Sequence, residues 1–144
     1  MIGNIDLDLL EKTYQNASIG ITAIEEVMDK AENKDLIRDL NKQLKDYQEI
    51  AGKAREQLLK NGAGAKEKPL YERAMMRGNI KMNTWMDPTD SRIAEMVMKG
   101  STMGMTQMTK LLHDKTDADG TSVQIVKDFI HKEENNIETM KGYL

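Results

Sequence analysis

The chain has 144 residues, of which 39% are hydrophobic, 31% are charged and only 4% are aromatic, with two prolines and no cysteine. These proportions favour a helical domain over a sheet, and the lack of cysteine excludes disulfides and thiolate metal sites. The net charge is −3 and the sequence has no basic patch, so we expect no nucleic-acid partner.

The first predicted helix runs from about Asp6 to Ala31, and the second from about Asp35 to Lys60. In both, apolar residues recur at alternating steps of three and four, which is typical of a helix in a bundle. The short connection between them predicts antiparallel neighbours. The apolar stripes are Leu7, Leu10, Tyr14, Ala17, Ile21, Ile24, Met28 and Ala31, then Ile37, Leu40, Leu44, Tyr47, Ala51, Ala54 and Leu58.

Residues 61–87 are predicted to form a long crossover between the second and third long helices. Asn61 and Gly62 form a helix stop signal, and Pro69 is well placed to begin a short extra helix that ends near Met82. A link of this length can travel the full bundle, about 39 Å for 26 helical residues. The second and third long helices are therefore expected to run parallel.

The third long helix is predicted to begin at Asp87 and Pro88, with Asp87 as the N-cap, and to end near His113. Its apolar residues cover more than one face, which predicts burial by the crossover or by a second copy of the chain. The fourth helix begins near Thr121. Its stripe is Val123, Val126, Ile130, Glu133, Ile137, Met140 and Leu144.

The chain is predicted to be a single domain, residues 1–144, built from two similar hairpins at 6–60 and 88–144. Residues 17–24 align with 101–108, so that Gly20 corresponds to Gly104. The stripes of the second and fourth helices place Tyr47 opposite Glu133. Either an internal duplication or a shared packing requirement explains this pattern.

The hairpins, the crossover and the segment Glu133-Glu134-Asn135-Asn136-Ile137-Glu138 resemble the ferritin-like superfamily, and the segment is similar to the last helix of its small bacterial members. The resemblance implies an antiparallel four-helix bundle with a long crossover. It also implies a di-metal site with one Glu from each of two helices and Glu-x-x-His from each of the others. Only Glu133 remains of these ligands, and Asn136 stands where His is expected. We therefore predict that the site is lost and that no metal binds.

Glu133 is the main candidate site residue, because a carboxylate on an apolar stripe is costly to bury unpaired. In a structural interpretation it hydrogen-bonds Tyr47, Ser101 or Thr102, with Tyr47 and Ser101 forming a candidate buried polar cluster, or it lies at the edge of the stripe. In a functional interpretation it is a relic metal ligand or a proton-accepting group with a raised pKa, and the rival hypothesis is a rearranged metal or redox site around it. The candidate ligands of that site are Glu133, Glu134, His131 and Asn136.

Two other patterns leave alternatives open. Gly100 and Gly104 either let helices pack closely or leave a cavity in the middle of the bundle for a small molecule. The chain has 12 methionines, which suit Cu(I) as soft ligands but also commonly fill cores and interfaces.

No nucleophile and base set, phosphate loop or dinucleotide fingerprint is present, so we expect no catalysis and no cofactor. The first residues do not resemble a signal peptide, and no apolar run is long enough to span a membrane. The leading hypothesis is a cytoplasmic, metal-free ferritin-like bundle with a structural or protein-interaction role. It is expected to form a homodimer and to bind a protein partner that the sequence does not identify. The alternatives are a metal-binding or redox protein and a small-molecule carrier.

Overall fold

Four long α-helices make up most of the structure, a computed structural model that describes residues 3–64, 89–115, 118 and 120–144. They are α1 (Asn4–Met28), α2 (Lys34–Lys60), α3 (Asp90–Asp114) and α4 (Gly120–Lys141). No strand occurs within the described ranges. The all-helical class and the four helices are confirmed. The short helix predicted from Pro69 to Met82 lies outside the described residues.

The start of α3 differs from the prediction. Its N-cap is Thr89, whose Oγ1 accepts a hydrogen bond from the backbone N–H of Arg92 at 3.1 Å. The prediction that Asp87 caps this helix is therefore wrong. The physical reason is that a hydroxyl immediately before the first helical residue reaches the third N–H of the helix, as N-cap side chains do.

Contacts between α2 and the C-terminal part of the chain fix their relative direction. Tyr143, in the turn that follows α4, donates its hydroxyl to Asp39. Lys132 Nζ lies 3.2 Å from Asp46 Oδ1. The residue numbers rise along α2 while those of the contacted residues fall, so α2 and α4 run in opposite directions.

Helices α1 and α3 also run in opposite directions. Asn16 Nδ2 lies 3.5 Å from Met108 Sδ. The Asp90 carboxylate, at the start of α3, accepts hydrogen bonds from the N–H groups of Glu32 and Asn33 at 2.8 and 3.0 Å. This carboxylate therefore holds the α1–α2 turn against the beginning of α3. Because α1 and α2 are joined by a short turn, α2 and α3 point the same way.

The core is wider than the predicted stripes. On α2 the buried positions include Leu36, Gln43 and Ile50, whereas the predicted Ile37 and Leu44 are only partly buried. A helix that contacts two neighbours buries a broader face than one residue per turn. The largest fully buried side chains are Leu9, Leu10, Ile24, Val27, Leu36, Leu40, Ile50, Leu58, Ile93, Met108, Phe129 and Met140.

The last residue of the predicted fourth stripe is not in the core. Leu144 is 62% exposed, because α4 ends at Lys141 and the following residues form a turn. In the described part of the chain, no helix has an apolar stretch long enough to cross a bilayer.

Candidate functional site

Glu133 lies on the inner face of α4 and is only 2% exposed. The Tyr47 hydroxyl of α2 donates a hydrogen bond to Glu133 Oε1. Asn136, one turn further along α4, donates its Nδ2 hydrogen to the same oxygen at 3.0 Å. The structure therefore brings Glu133 together with Tyr47 from the first hairpin, and Asn136 completes the arrangement. We call Glu133, Tyr47, Asn136 and the adjacent Ser101 the central cluster.

Two glycines make room for the central cluster. A Cβ atom on Gly104 of α3 would lie 2.9 Å from Glu133 Oε2 and 3.2 Å from the ring of Phe129. A Cβ atom on Gly20 of α1 would lie 2.7 Å from the Tyr47 ring. Each hairpin thus has a glycine on one helix that accommodates the polar side chain of the other. These two close contacts lie at the positions where Gly20 and Gly104 match in the sequence alignment.

Burial dominates the electrostatics of the cluster. Desolvation raises the pKa of Glu133 from 4.5 to about 7, while hydrogen bonding from Tyr47, Asn136 and Ser101 opposes this rise. Desolvation, together with the negative charge on Glu133, raises the pKa of Tyr47 well above its usual value. Near neutral pH, Glu133 is therefore partly protonated and Tyr47 is a neutral donor.

Ser101 on α3, the fourth member of the central cluster, is also buried. It lies close enough to Tyr47 and Glu133 to lower the pKa of both. Its Oγ nevertheless makes no hydrogen bond of acceptable geometry with a described residue. Ser101 therefore lies beside the other members of the central cluster without a direct hydrogen bond to them.

The candidate ligands of a rearranged metal site are separated in the structure. Asn136 is buried beside Glu133, whereas Glu134 and His131 are exposed on α4. The neighbouring cation, Lys132, points outward and lies 3.2 Å from Asp46 and 3.7 Å from Glu49. Among residues 3–64, 89–115, 118 and 120–144, no three His, Asp or Glu side chains are grouped so that they could hold a metal ion.

The glycine pair on α3 is divided between two environments. The space beside Gly104, which the carrier hypothesis requires, is occupied by Glu133 and Phe129. Gly100 is exposed, and a Cβ atom there would meet nothing within 4 Å. The methionines are divided in the same way, since Met108 is fully buried and Met103 is 70% exposed.

Sequence reasoning missed several buried polar residues, among them Gln43 and the pair formed by Asp6 and Ser122. Gln43 lies one turn before Tyr47 on the buried face of α2, a spacing that the sequence does display. Asp6 is buried as well and accepts hydrogen bonds from the Ser122 hydroxyl and, at 3.3 Å, from the Gly3 N–H. Ser122 lies one residue before the predicted stripe of α4, so the stripe gave no signal for it.

Comparison with known proteins gives a likeness in structure but none in sequence. No family model matches the chain, and no curated protein matches it. The chain is similar in structure to a DUF305 fragment from Deinococcus radiodurans, with a TM-score of 0.75 and 10% sequence identity. The match covers 98% of this chain and 95% of that one. At this identity the likeness shows the fold alone, a helical bundle.

Proposed function

We propose that this protein is a metal-free, ferritin-like helical bundle with a structural or protein-interaction role and no catalysis. The helix directions support this proposal, because α2 and α3 run parallel, as in ferritin-like bundles with one long crossover. The same fold would place its metal ligands on facing helices in the middle of the bundle. The observation that carries the proposal is that hydrogen bonds of the central cluster occupy that position here.

The chemistry of the Glu133 carboxyl supports the same conclusion. Its Oε1 already accepts two hydrogen bonds, and its Oε2 lies against Gly104. Its pKa of about 7 means that a metal ion would have to displace a proton near neutral pH. Hard divalent ions bind most strongly where several carboxylates share them, and Glu133 has tyrosine, amide and hydroxyl neighbours instead.

The test is the metal content of protein purified without chelators. We expect far less than one equivalent of iron, manganese or zinc per chain. A stoichiometric transition metal would overturn the proposal and favour the rearranged site. In that case Glu133→Gln should lose the metal. Loss of metal in Glu134→Gln as well would show that the ligand set includes the exposed neighbour Glu134.

We also propose that the bundle acts as a homodimer. Met103 supports this, because it is a large apolar side chain that is 70% exposed in the middle of α3. The half-buried Met96 lies two turns before it on the same side of the helix. Large exposed apolar groups that cluster on one face often mark an interface.

Sedimentation at micromolar concentration tests the homodimer. We expect a dimer that Met103→Lys weakens by at least tenfold in Kd. Leu59 is a matched control, because it is also a large apolar residue, 57% exposed, but lies at the end of α2. Leu59→Lys should leave the dimer intact. A monomeric wild type would contradict the proposal.

A further inference from the structure

Gln43 is a buried side chain whose polar atoms have no protein partner. It is 2% exposed, and neither its Oε1 nor its Nε2 makes a hydrogen bond with a described residue. The Oγ of Ser101, also 2% exposed, is in the same situation. Unpaired buried donors and acceptors are costly, so nearly all of them in native proteins have a partner, often an ordered water.

The helix register brings these unpaired groups into one layer. Gln43 precedes Tyr47 by one turn of α2, and Asn136 follows Glu133 by about one turn of α4. Because α2 and α4 run in opposite directions and Tyr47 contacts Glu133, Gln43 comes level with Asn136. The central cluster therefore continues into a second polar layer.

Helices α3 and α1 complete this layer. Ser101 precedes Gly104 by about one turn, and Gly104 packs against Glu133, so Ser101 is level with Asn136 in the α3–α4 hairpin. The position on α1 one turn beyond Gly20 is the buried Ile24. The layer thus has polar side chains from three helices and an apolar side chain from the fourth.

We propose that this layer is an internal binding site for ordered water, held by Gln43 and Ser101 next to Glu133. Gln43 presents both an acceptor and a donor, and Ser101 presents a hydroxyl that can do either. Water is small enough for a packed core and can satisfy both kinds of group, given two to four polar partners.

Other small occupants match this set less well. A cation would meet the oxygens of Gln43 and Ser101 but would face the Nε2 hydrogens of the same amide. An anion would meet those hydrogens but would lie beside Glu133.

A high-resolution crystal structure of the wild type tests this proposal. We expect water density at roughly 2.6–3.2 Å from both Gln43 and Ser101. A dry layer, or a layer filled by another protein side chain, would overturn the proposal. The test does not depend on the proposed metal-free role, which is decided by metal content.

The melting temperature of Gln43→Met gives a second, independent test. Methionine has nearly the same volume but removes the groups that would bind water. With bound water, we expect the Tm to stay unchanged or to fall. Leu40→Met, one turn earlier on the same buried face, is the matched control for repacking. A rise of several degrees in Gln43→Met but not in Leu40→Met would show that the amide was unpaired, and would overturn the proposal.

Discussion

The Glu133 carboxyl is an acceptor for groups from two helices, so removing it leaves buried donors without a partner. Glu133→Leu should destabilise the protein by ~1–3 kcal/mol, because the Tyr47 hydroxyl and the Asn136 amide are then unpaired. Glu133→Gln retains an acceptor oxygen and should cost less. The free energy of unfolding from denaturant titrations measures both. Glu134→Leu is the control, since Glu134 is exposed and its replacement should have little effect.

The relative stability of Glu133→Gln and Glu133→Leu distinguishes a hydrogen-bonded Glu133 from one that belongs to an ion pair. If Glu133→Gln were much less stable than Glu133→Leu, Glu133 would be a charged member of an ion pair. The hydrogen-bonded cluster would then be the wrong description of this residue.

The stability of the fold should depend on pH through Glu133. Its pKa is about 7 in the folded protein and near 4.5 when unfolded, so the folded state binds the proton more tightly. This contribution is fully present below about pH 4.5 and is lost as the pH rises through 7. Over that range Glu133 should lower the free energy of unfolding by roughly 2–4 kcal/mol.

The measurement is the difference between wild type and Glu133→Gln in unfolding free energy at several pH values. This difference isolates Glu133, because both proteins share the exposed Glu49 and the partly exposed Glu95. Lys53 lowers the pKa of Glu49, and Lys99 lowers the pKa of Glu95. Lowered carboxyl pKa values make the free energy of unfolding rise with pH, which is opposite to the effect of Glu133. A difference that stays constant between pH 4.5 and 8 would contradict the raised pKa of Glu133.

At the scale of the helices, Gly20 and Gly104 set how closely α1 approaches α2 and α3 approaches α4. Alanine normally stabilises a helix relative to glycine by roughly 0.5–1 kcal/mol. At these two positions its Cβ would overlap Tyr47 or Glu133, and overpacking costs about 1–3 kcal/mol. Gly20→Ala and Gly104→Ala should therefore destabilise the protein, as measured by thermal unfolding.

Glycines without neighbours provide the matched controls. A Cβ on Gly52 of α2 or on Gly100 of α3 would meet nothing within 4 Å. Gly52→Ala and Gly100→Ala should therefore raise the stability. A stabilising effect at all four positions would show that helix propensity alone decides the outcome and that the close contacts are unimportant.

The elements were largely predictable from sequence, since apolar spacing of three and four depends on local helix geometry alone. The first and last residues of the helices were less predictable, because an N-cap such as Thr89 depends on which of several polar residues faces the first turn. The sequence prediction also underestimated how many positions of each helix the core includes, for a different reason. Leu36 and Ile50 are buried by contacts with two neighbouring helices, and those neighbours are fixed only by the assembled bundle.

The centre of the site was partly predictable. Glu133 was conspicuous as a carboxylate among apolar residues, and the stripe alignment placed Tyr47 opposite it. The unpaired Gln43 and the pairing of Asp6 with Ser122 were not anticipated. From sequence alone, a polar residue at a core position is taken to be exposed to solvent. The spacing of apolar residues does not show which flank of a wide helix face the neighbouring helices bury.

At the scale of the whole molecule, the central cluster links the two hairpins. Tyr47 belongs to the first hairpin and Glu133 to the second, and their hydrogen bond lies at the middle of the bundle. Lys132 adds a surface contact to Asp46 at nearly the same level. We propose that the middle of the bundle is a structural joint between the two hairpins and not a metal centre.

The thermal unfolding of the wild type with added Fe(II) or Mn(II) tests this central claim most directly. A ligand that binds only the folded state raises the Tm, by an amount that grows with its concentration relative to Kd. With micromolar metal we expect a shift of less than about one degree, and the same result for Glu133→Gln. A rise of many degrees in the wild type that Glu133→Gln abolishes would show that Glu133 binds metal, and would contradict the account.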